Sequence, residues 1–403
     1  MSHIDLTIDS DRVVAELNEL SQFSECPEPS PAVTRIVFSE QDLQARDYLK
    51  QLYVQAGLEV RVDAVGNTFA RWVGDDPTLP VVGTGSHTDA IPFSGMYDGT
   101  VGVLGGLEAI RSLQLAGFRP RRSIELLMIT SEEPTRFGIG CTGSRVMAGL
   151  LDSDDLDALT DECGDSYNTV RRRAGFSGDV AEAVIPDDYY QAWVELHIEQ
   201  GPELERKQLP IGVVTAIAAP ATLVVEVVGE GGHAGAVLMP GRRDALCATA
   251  EMISLVEHLA QHAPSDDLVA TIGELHVHPG AVNSIPSRVR FTIDLRDIDL
   301  TSRDDVMQRI ESGLDEIGRR RDVQVITTTL NVDPPAIASP MIVDAAARAC
   351  KSAGLTYQKM VSRAYHDSLF IAQVAPIAMI FIPCRGGVSH RPDEYCTPEQ
   401  ITD

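Results

Sequence analysis

The sequence predicts an α/β protein: a mainly parallel sheet covered by helices, interrupted by an inserted α+β module with an antiparallel sheet. Three observations predict it. Continuous apolar runs alternate with helix-period segments in the first half, a strictly alternating strand pattern appears only in the middle, and the first style returns near the end. Strand–helix–strand alternation calls for parallel strands with helices on their faces, whereas alternation of apolar and polar residues calls for a sheet with one wet face.

Taken in order, "LPVVGTG" (79–85) and "SIELLMIT" (123–130) are continuous apolar runs of strand length. Between them, Val101, Leu104, Leu107, Ile110 and Leu113 recur every three residues and form one helix stripe, with Asp98 near its N-cap and Gly117 closing it. The pattern changes near Val213. "TLVVEVVGEGG" (222–232) and "RVRFTIDLRDID" (288–299) read as strands. In the second, Val289, Phe291, Ile293 and Leu295 point one way, and Arg290, Thr292, Asp294 and Arg296 the other. The spacing predicts helices over about 244–262 and 303–320. After "NVDPPAIASP" come a helix near 341–353 and the apolar run "APIAMIFIP" (375–383). The expected organisation is a discontinuous catalytic domain, 1–212 plus 329–403, around an insert at 213–328, without internal repeats.

Bulk properties exclude several classes. A chain of 403 residues is long for one core, which favours two domains. A formal charge of −26 disfavours nucleic acid and anionic membranes as partners, and means that an anionic substrate needs a local arginine. There is no run of 18 apolar residues, and "MSHIDLTIDSDRVVAEL" lacks the basic and apolar regions of a leader. Seven cysteines without a CxxC pair suit free thiols in a reducing compartment, so a cytoplasmic protein is expected.

Four polar clusters fall at predicted strand ends, where active sites of such sheets lie. "GSHTDAIPFSGMYDG" (85–99) carries His87, Asp89 and Asp98. Side chains two apart in extended chain share a face, so Asp89 can hold one imidazole nitrogen of His87 and leave the other for a metal. "TSEEPTRFG" (130–138) carries Glu132 and Glu133, adjacent carboxylates that repel unless a cation or a proton lies between them. "VELHIEQGPELE" (194–205) carries His197 and Gln200, and "GGVSHRPDEYCTPEQ" (386–400) carries His390. Taken alone, the His87 cluster reads first as a polar turn and His197 as a satisfied core histidine, and the acidic pair is as readily a solvated turn. Together, histidines and carboxylates at the ends of one sheet suit Mn²⁺ or Zn²⁺, with a shared carboxylate placing two ions about 3.5 Å apart.

These motifs resemble, over nearly the whole chain, the dinuclear metallohydrolases related to aminoacylases and carboxypeptidases, and among them the amidohydrolases acting on ureido compounds. The resemblance implies that His87, Asp98, Glu133, His197 and His390 bind two divalent ions, Mn²⁺ before Zn²⁺, with Asp98 bridging. It implies Glu132 as general base, Asp89 as the residue steering His87, and His233 in "GEGGHAGA" as an oxyanion donor delivered from a partner subunit. The working unit would be a homodimer joined through 213–328, the dimerisation or lid module. "HPGAVNSIPSR" (278–288) and "SRAYHDSLFIA" (362–372) look most like the branch acting on ureidoglycolate. Arg296 would grip the carboxylate of a small anionic ureido substrate. Gln200 and Asn283 would supply amide contacts, and the loop with Tyr365 and His366 would close over the remainder. The implied reaction is hydrolysis of ureidoglycolate to glyoxylate, ammonia and carbon dioxide. Allantoate and N-carbamoyl-L-amino acids are the alternative substrates, and a non-catalytic binding protein is disfavoured because all ligands and the base remain. The chain stops at Asp403, where the resembled proteins continue into a terminal helix.

Overall fold

The computed structural model describes residues 6–27 and 30–403; the first five residues, part of the stretch read above for a leader, lie outside the described residues. The chain divides into two compact units. The first runs to Thr215 and resumes over Ile337–Ser362 and His366–Asp403; the second comprises Ala216–Ala336 with Arg363–Tyr365. No described helix is long and apolar enough to cross a membrane.

The chain begins with α1 (Ser10–Ser21), β1 (Val33–Arg35), α2 (Glu40–Gln55), β2 (Glu59–Val62) and β3 (Thr68–Trp72). It continues through β4 (Val81–His87), β5 (Ala90–Ser94), α3 (Thr100–Leu115), β6 (Ile124–Ile129), α4 (Thr142–Met147), β7 (Tyr190–Ile198) and β8 (Ile211–Ile217). The second unit holds β9 (Ala219–Val228), β10 (Gly232–His233), β11 (Val269–Thr271), β12 (Leu275–His278), β13 (Ser284–Ile285), β14 (Arg288–Asp297) and β15 (Gln324–Val332). The chain then adds β16 (Ala336–Ile337), β17 (Tyr357–Ser362) and β18 (Ile377–Ile382).

The large sheet has nine strands in the order β16-β8-β18-β7-β4-β6-β3-β2, with β17 also beside β8. Its centre is parallel, β18 on β7, β7 on β4 and β4 on β6. Its flanks are not: β8 runs antiparallel to β18, and β3 antiparallel to β6 and β2. The sheet thus has the expected parallel centre and is mixed through its flanks. At one edge the cause is local: β2 and β3 form a hairpin whose turn is tied by Asp63 accepting from the amides of Val65 and Asn67, and hairpin strands pair antiparallel.

Helix α3 crosses from β4 to β6 as the apolar stripe requires, and Val101, Leu104, Leu107 and Ile110 are buried. Gly102 lets it lie close to the sheet, since a Cβ there would stand 2.2 Å from the carbonyl oxygen of Leu196. Asp98 is not its cap. Gly99 takes the N-cap position with φ +66°, and no side chain caps the helix.

In the second unit, β11-β14-β9-β15 form one antiparallel sheet with β12 also on β14. Val289, Phe291, Ile293 and Leu295 face a core completed by Met252 and Val256 of the helix Ala245–Gln261 and by Ile310 and Leu314 of Leu300–Arg321. Truncating Phe291 to alanine there would cost about 3–5 kcal/mol. The insert, expected to end at 328, runs to Ala336 because β15 pairs along β9 in this sheet. Its start moves from 213 to Ala216 because β8 pairs with β18 in the other one.

Candidate metal centre

The C-terminal ends of the parallel strands bring five predicted donors together. His87 ends β4, His197 lies near the end of β7, Glu133 follows β6, Asp98 precedes α3 and His390 follows β18. Asp98 is the hub. Its Oδ1 lies 3.4 Å from His87 Nε2 and 3.2 Å from His197 Nε2. Its Oδ2 lies 3.5 Å from His390 Nε2, which is also 3.3 Å from Glu133 Oε1. The result is two donor sets, His87–Asp98–His197 and Asp98–Glu133–His390, each with ligand atoms within 4.8 Å of one another.

The hydrogen bonds show what these sets lack. His87 Nδ1 lies 3.0 Å from the carbonyl of Asp89, and His197 Nδ1 lies 2.9 Å from that of Ile198. A carbonyl only accepts, so both Nδ1 atoms carry the proton, and in the neutral ring Nε2 presents a lone pair. The Gly99 amide donates to His197 Nε2 at 3.2 Å, and both Nε2 atoms face Asp98 Oδ1 in a buried site, where a shared proton or a divalent cation offsets the carboxylate charge. The imidazoles respond accordingly. For His87, burial lowers the pKa but is outweighed by Glu132, Asp98 and Asp89, which hold it well above its usual value. Hydrogen bonding of the His390 imidazolium to the Asp98 and Glu133 carboxylates pushes its pKa up to about 11. For Asp98, burial is outweighed by His197, His390 and His87, which hold it well below the usual range. Neutral histidine, carboxylate and a shared bridge form a donor set that fits divalent Mn²⁺ or Zn²⁺.

Glu132 stands beside the donors without joining either set. Its Oε2 lies 3.8 Å from His87 Nε2, and its Oε1 accepts from the Cys141 thiol at 3.4 Å. Burial raises its pKa, with Glu133, Asp367 and Asp98 adding and His87 opposing, which moves a carboxylate towards the neutral range a general base needs. Asp89 steers His87, but through its backbone carbonyl. Its carboxylate is 3.7 Å from Nδ1 and instead accepts from the amides of Glu132 and Glu133 at 3.3 and 3.0 Å. It therefore fixes the acidic pair as well as the imidazole.

Other residues complete the surroundings. Gln200 Nε2 donates to Asp98 Oδ2 at 2.6 Å, while its Oε1 is buried with no hydrogen bond. The His366 ring packs edge-on against His197 with centroids 4.4 Å apart. The sequence reading missed Ser389, which donates to Asp98 Oδ2 at 2.7 Å, and Glu394. Glu394 accepts from the amides of Tyr97 and Asp98 and lies 2.9 Å from Ser389 Oγ, which shares its one proton between the two carboxylates, and so it orients Asp98. Only its nearness to His390 in the chain hinted at this. Cys141, buried against Glu132, carried no signal at all.

His233, Asn283, Arg296 and Tyr365 belong to the second unit. The pairing of β10 with β13 places His233 against Ser284, and the Ala234 amide donates to the Asn283 carbonyl at 2.9 Å. Exposed His233 accepts at Nδ1 from the Gly235 amide, which leaves the proton on Nε2. Arg296 is held in a fork by Asp294 at 2.7 and 3.0 Å and stacks over Tyr365 at 5.4 Å.

Imidazole and carboxylate sets that share one aspartate, with a raised-pKa acid alongside, are the working parts of a metal-dependent hydrolase. Residues 83–403 match Peptidase family M20/M25/M40, and the chain belongs to that family. Ureidoglycolate hydrolase of Oryza sativa subsp. japonica is 50% identical, over 98% of this chain and 82% of its own length. Ureidoglycolate hydrolase of Arabidopsis thaliana is 48% identical, over 99% and 85%. The crystal structure of AtUAH in complex with glyoxylate, also 48% identical, superposes with a TM-score of 0.90 over 98% of this chain and 95% of that one.

Proposed function

We propose that the protein hydrolyses ureidoglycolate in the degradation of allantoin, with two Mn²⁺ ions held by His87, Asp98 and His197 and by Asp98, Glu133 and His390. The observation that carries the reading is Asp98 facing both donor sets while buried Glu132 stays outside them. The relatives at about half identity supply the substrate. When bound, the ions supply Lewis acidity that lowers the pKa of water and polarises the ureido oxygen. Glu132 takes the proton of the attacking water as its oxygen bonds to the ureido carbon. It passes that proton to the terminal nitrogen as the C–N bond breaks and ammonia leaves. The carbamate product loses carbon dioxide, and the resulting hydroxyglycine yields glyoxylate and a second ammonia. His233, with its proton on Nε2, serves as oxyanion donor in the neighbouring subunit of a cytoplasmic homodimer joined through the second unit. Arg296, pre-set by Asp294, takes the carboxylate; Asn283, Tyr365, His366 and the open Oε1 of Gln200 complete the contacts.

The test is ammonia release from Mn²⁺-loaded protein with ureidoglycolate, allantoate and N-carbamoyl amino acids. Ureidoglycolate should have the highest kcat/KM, and bulky carbamoyl amino acids the lowest. Tyr365→Gly should narrow that gap, because a site that hydrogen-bonds its substrate discriminates through filled space and paired groups. A wild-type preference for allantoate or a bulky carbamoyl amino acid would end the substrate assignment and leave the metal chemistry standing.

A further inference from the structure

The donors all lie at or beyond His87, within the part of the chain that matches the family from residue 83 onward. A buried guanidinium from before that part reaches the turn that carries His87. Arg35 ends β1, opposite Ala90 of β5 in the antiparallel pair, and its side chain is 1% exposed. It donates from Nε to the carbonyl of Phe23 at 2.9 Å, from Nη1 to that of Thr88 at 2.7 Å and from Nη2 to that of Leu20 at 2.6 Å. All three acceptors are main chain. Two lie at the end of α1, and the third sits between His87 and Asp89.

We propose that Arg35 is a positioning residue of the metal centre: it ties the His87–Asp89 turn to the end of α1 and so fixes the ring of His87 for metal binding. The links are continuous. Arg35 holds the peptide of Thr88, the next carbonyl (Asp89) takes the Nδ1 proton of His87, and the Asp89 carboxylate holds the amides of Glu132 and Glu133. A buried guanidinium is expensive to desolvate, and an apolar side chain of like size would pack there more cheaply. What it adds is a rigid planar fork that joins two chain segments. Burial lowers its pKa to about 10 against the raising effect of Asp42 and Asp89, so it remains a cation at neutral pH behind an acidic centre. Arg46 repeats the device. Its Nη1 donates to the Gly66 carbonyl at 2.9 Å and to Thr130 Oγ1 at 3.1 Å, at the end of the strand that leads into Glu132.

The proposal rests on the metal-centre reading and not on the substrate, so its test uses Mn²⁺ alone. Metal-free wild type, Arg35→Met, Arg35→Lys and Arg171→Met are titrated with Mn²⁺ by calorimetry, and their melting temperatures are measured. Arg171 is the control, a buried guanidinium bonded to the Ala64 carbonyl at 2.6 Å and Asn168 Oδ1 at 2.7 Å, away from the donors. Arg171→Met should lower the melting temperature and leave Mn²⁺ affinity unchanged. Arg35→Met should weaken Mn²⁺ binding by about 10–100-fold, the usual effect of losing support behind a ligand. Arg35→Lys, which keeps the charge but not the fork, should fall between. Hydrogen exchange on the wild type decides if Arg35→Met fails to fold, because coupling is reciprocal: Mn²⁺ should slow exchange at amides 20–24. Wild-type Mn²⁺ affinity in Arg35→Met, or exchange at 20–24 indifferent to Mn²⁺, would overturn the proposal. A wild type that binds no Mn²⁺ would instead overturn the metal centre itself.

Discussion

Replacing Glu132 by glutamine should separate metal binding from chemistry. The residue is 6% exposed, so the isosteric amide enters a site already shaped for it. Its Oε1 can keep accepting from the Cys141 thiol at 3.4 Å, and neither donor set includes it. What disappears is a group able to take a proton. General-base catalysis contributes about 10²–10⁴-fold, or about 3–5 kcal/mol of transition-state stabilisation. The expected result is a fall of that size in kcat with little change in KM, because the loss is felt only in the transition state. Ammonia release under saturating Mn²⁺ measures the first quantity, and metal counted by emission spectroscopy on the same sample checks that the centre is intact. Turnover at the wild-type rate would refute the role of Glu132. Metal loss in step with activity would refute its separation from the donor sets.

Gly99→Ala should empty the centre without touching a ligand. A Cβ there would stand 2.5 Å from His87 Nε2, and φ of +66° adds strain of about 1–3 kcal/mol, so Mn²⁺ content after dialysis should fall sharply. The metal-free protein should lose stability as the solution is made alkaline. His390 has its pKa raised from 6.5 to about 11 by Asp98 and Glu133, so its contribution is complete below 6.5 and is lost as pH rises through 11. Melting curves of the metal-free wild type and His390→Gln between pH 6 and 10 should therefore converge with rising pH; parallel curves would exclude the linkage. If His233 serves the neighbouring subunit's site in a homodimer, mixing inactive His233→Ala and Glu132→Gln proteins should restore activity once subunits exchange, because a hybrid dimer would contain one intact site. Proven exchange with no recovery would place His233 in its own subunit's site or in none.

Legibility followed the range of the interactions. The core face of β14 was readable because its alternation is local, and the structure buries Val289, Phe291, Ile293 and Leu295 as spaced. The β4–α3–β6 unit was readable for the same reason. The short segments "EVRV" and "TFARW" of β2 and β3 carry too little pattern to reveal an antiparallel flank. Histidines and acids at strand ends point to the donors, and the helix stripe places Asp98 near a cap without telling which residue caps. Capping is a contact within one turn, and that local rule fails where Gly99 takes the cap and frees the carboxylate. Glu394 was invisible because its meaning lies in the amides of Tyr97 and Asp98, almost three hundred positions earlier. The Asp89 backbone carbonyl was invisible because every residue has one.

The order of the donors along the chain gives the centre a history. His87, Asp98 and His197 all precede the second unit, so a growing chain carries one complete donor set before Ala216 is made. Glu133 must wait for His390, which arrives only after the insert and β18 have followed. During synthesis the donors of the two sets are therefore made at different times, with Asp98 common to both. A chain cut short before β18 would carry His87 and His197 without the histidine that completes the second set, and without the strand that flanks β7.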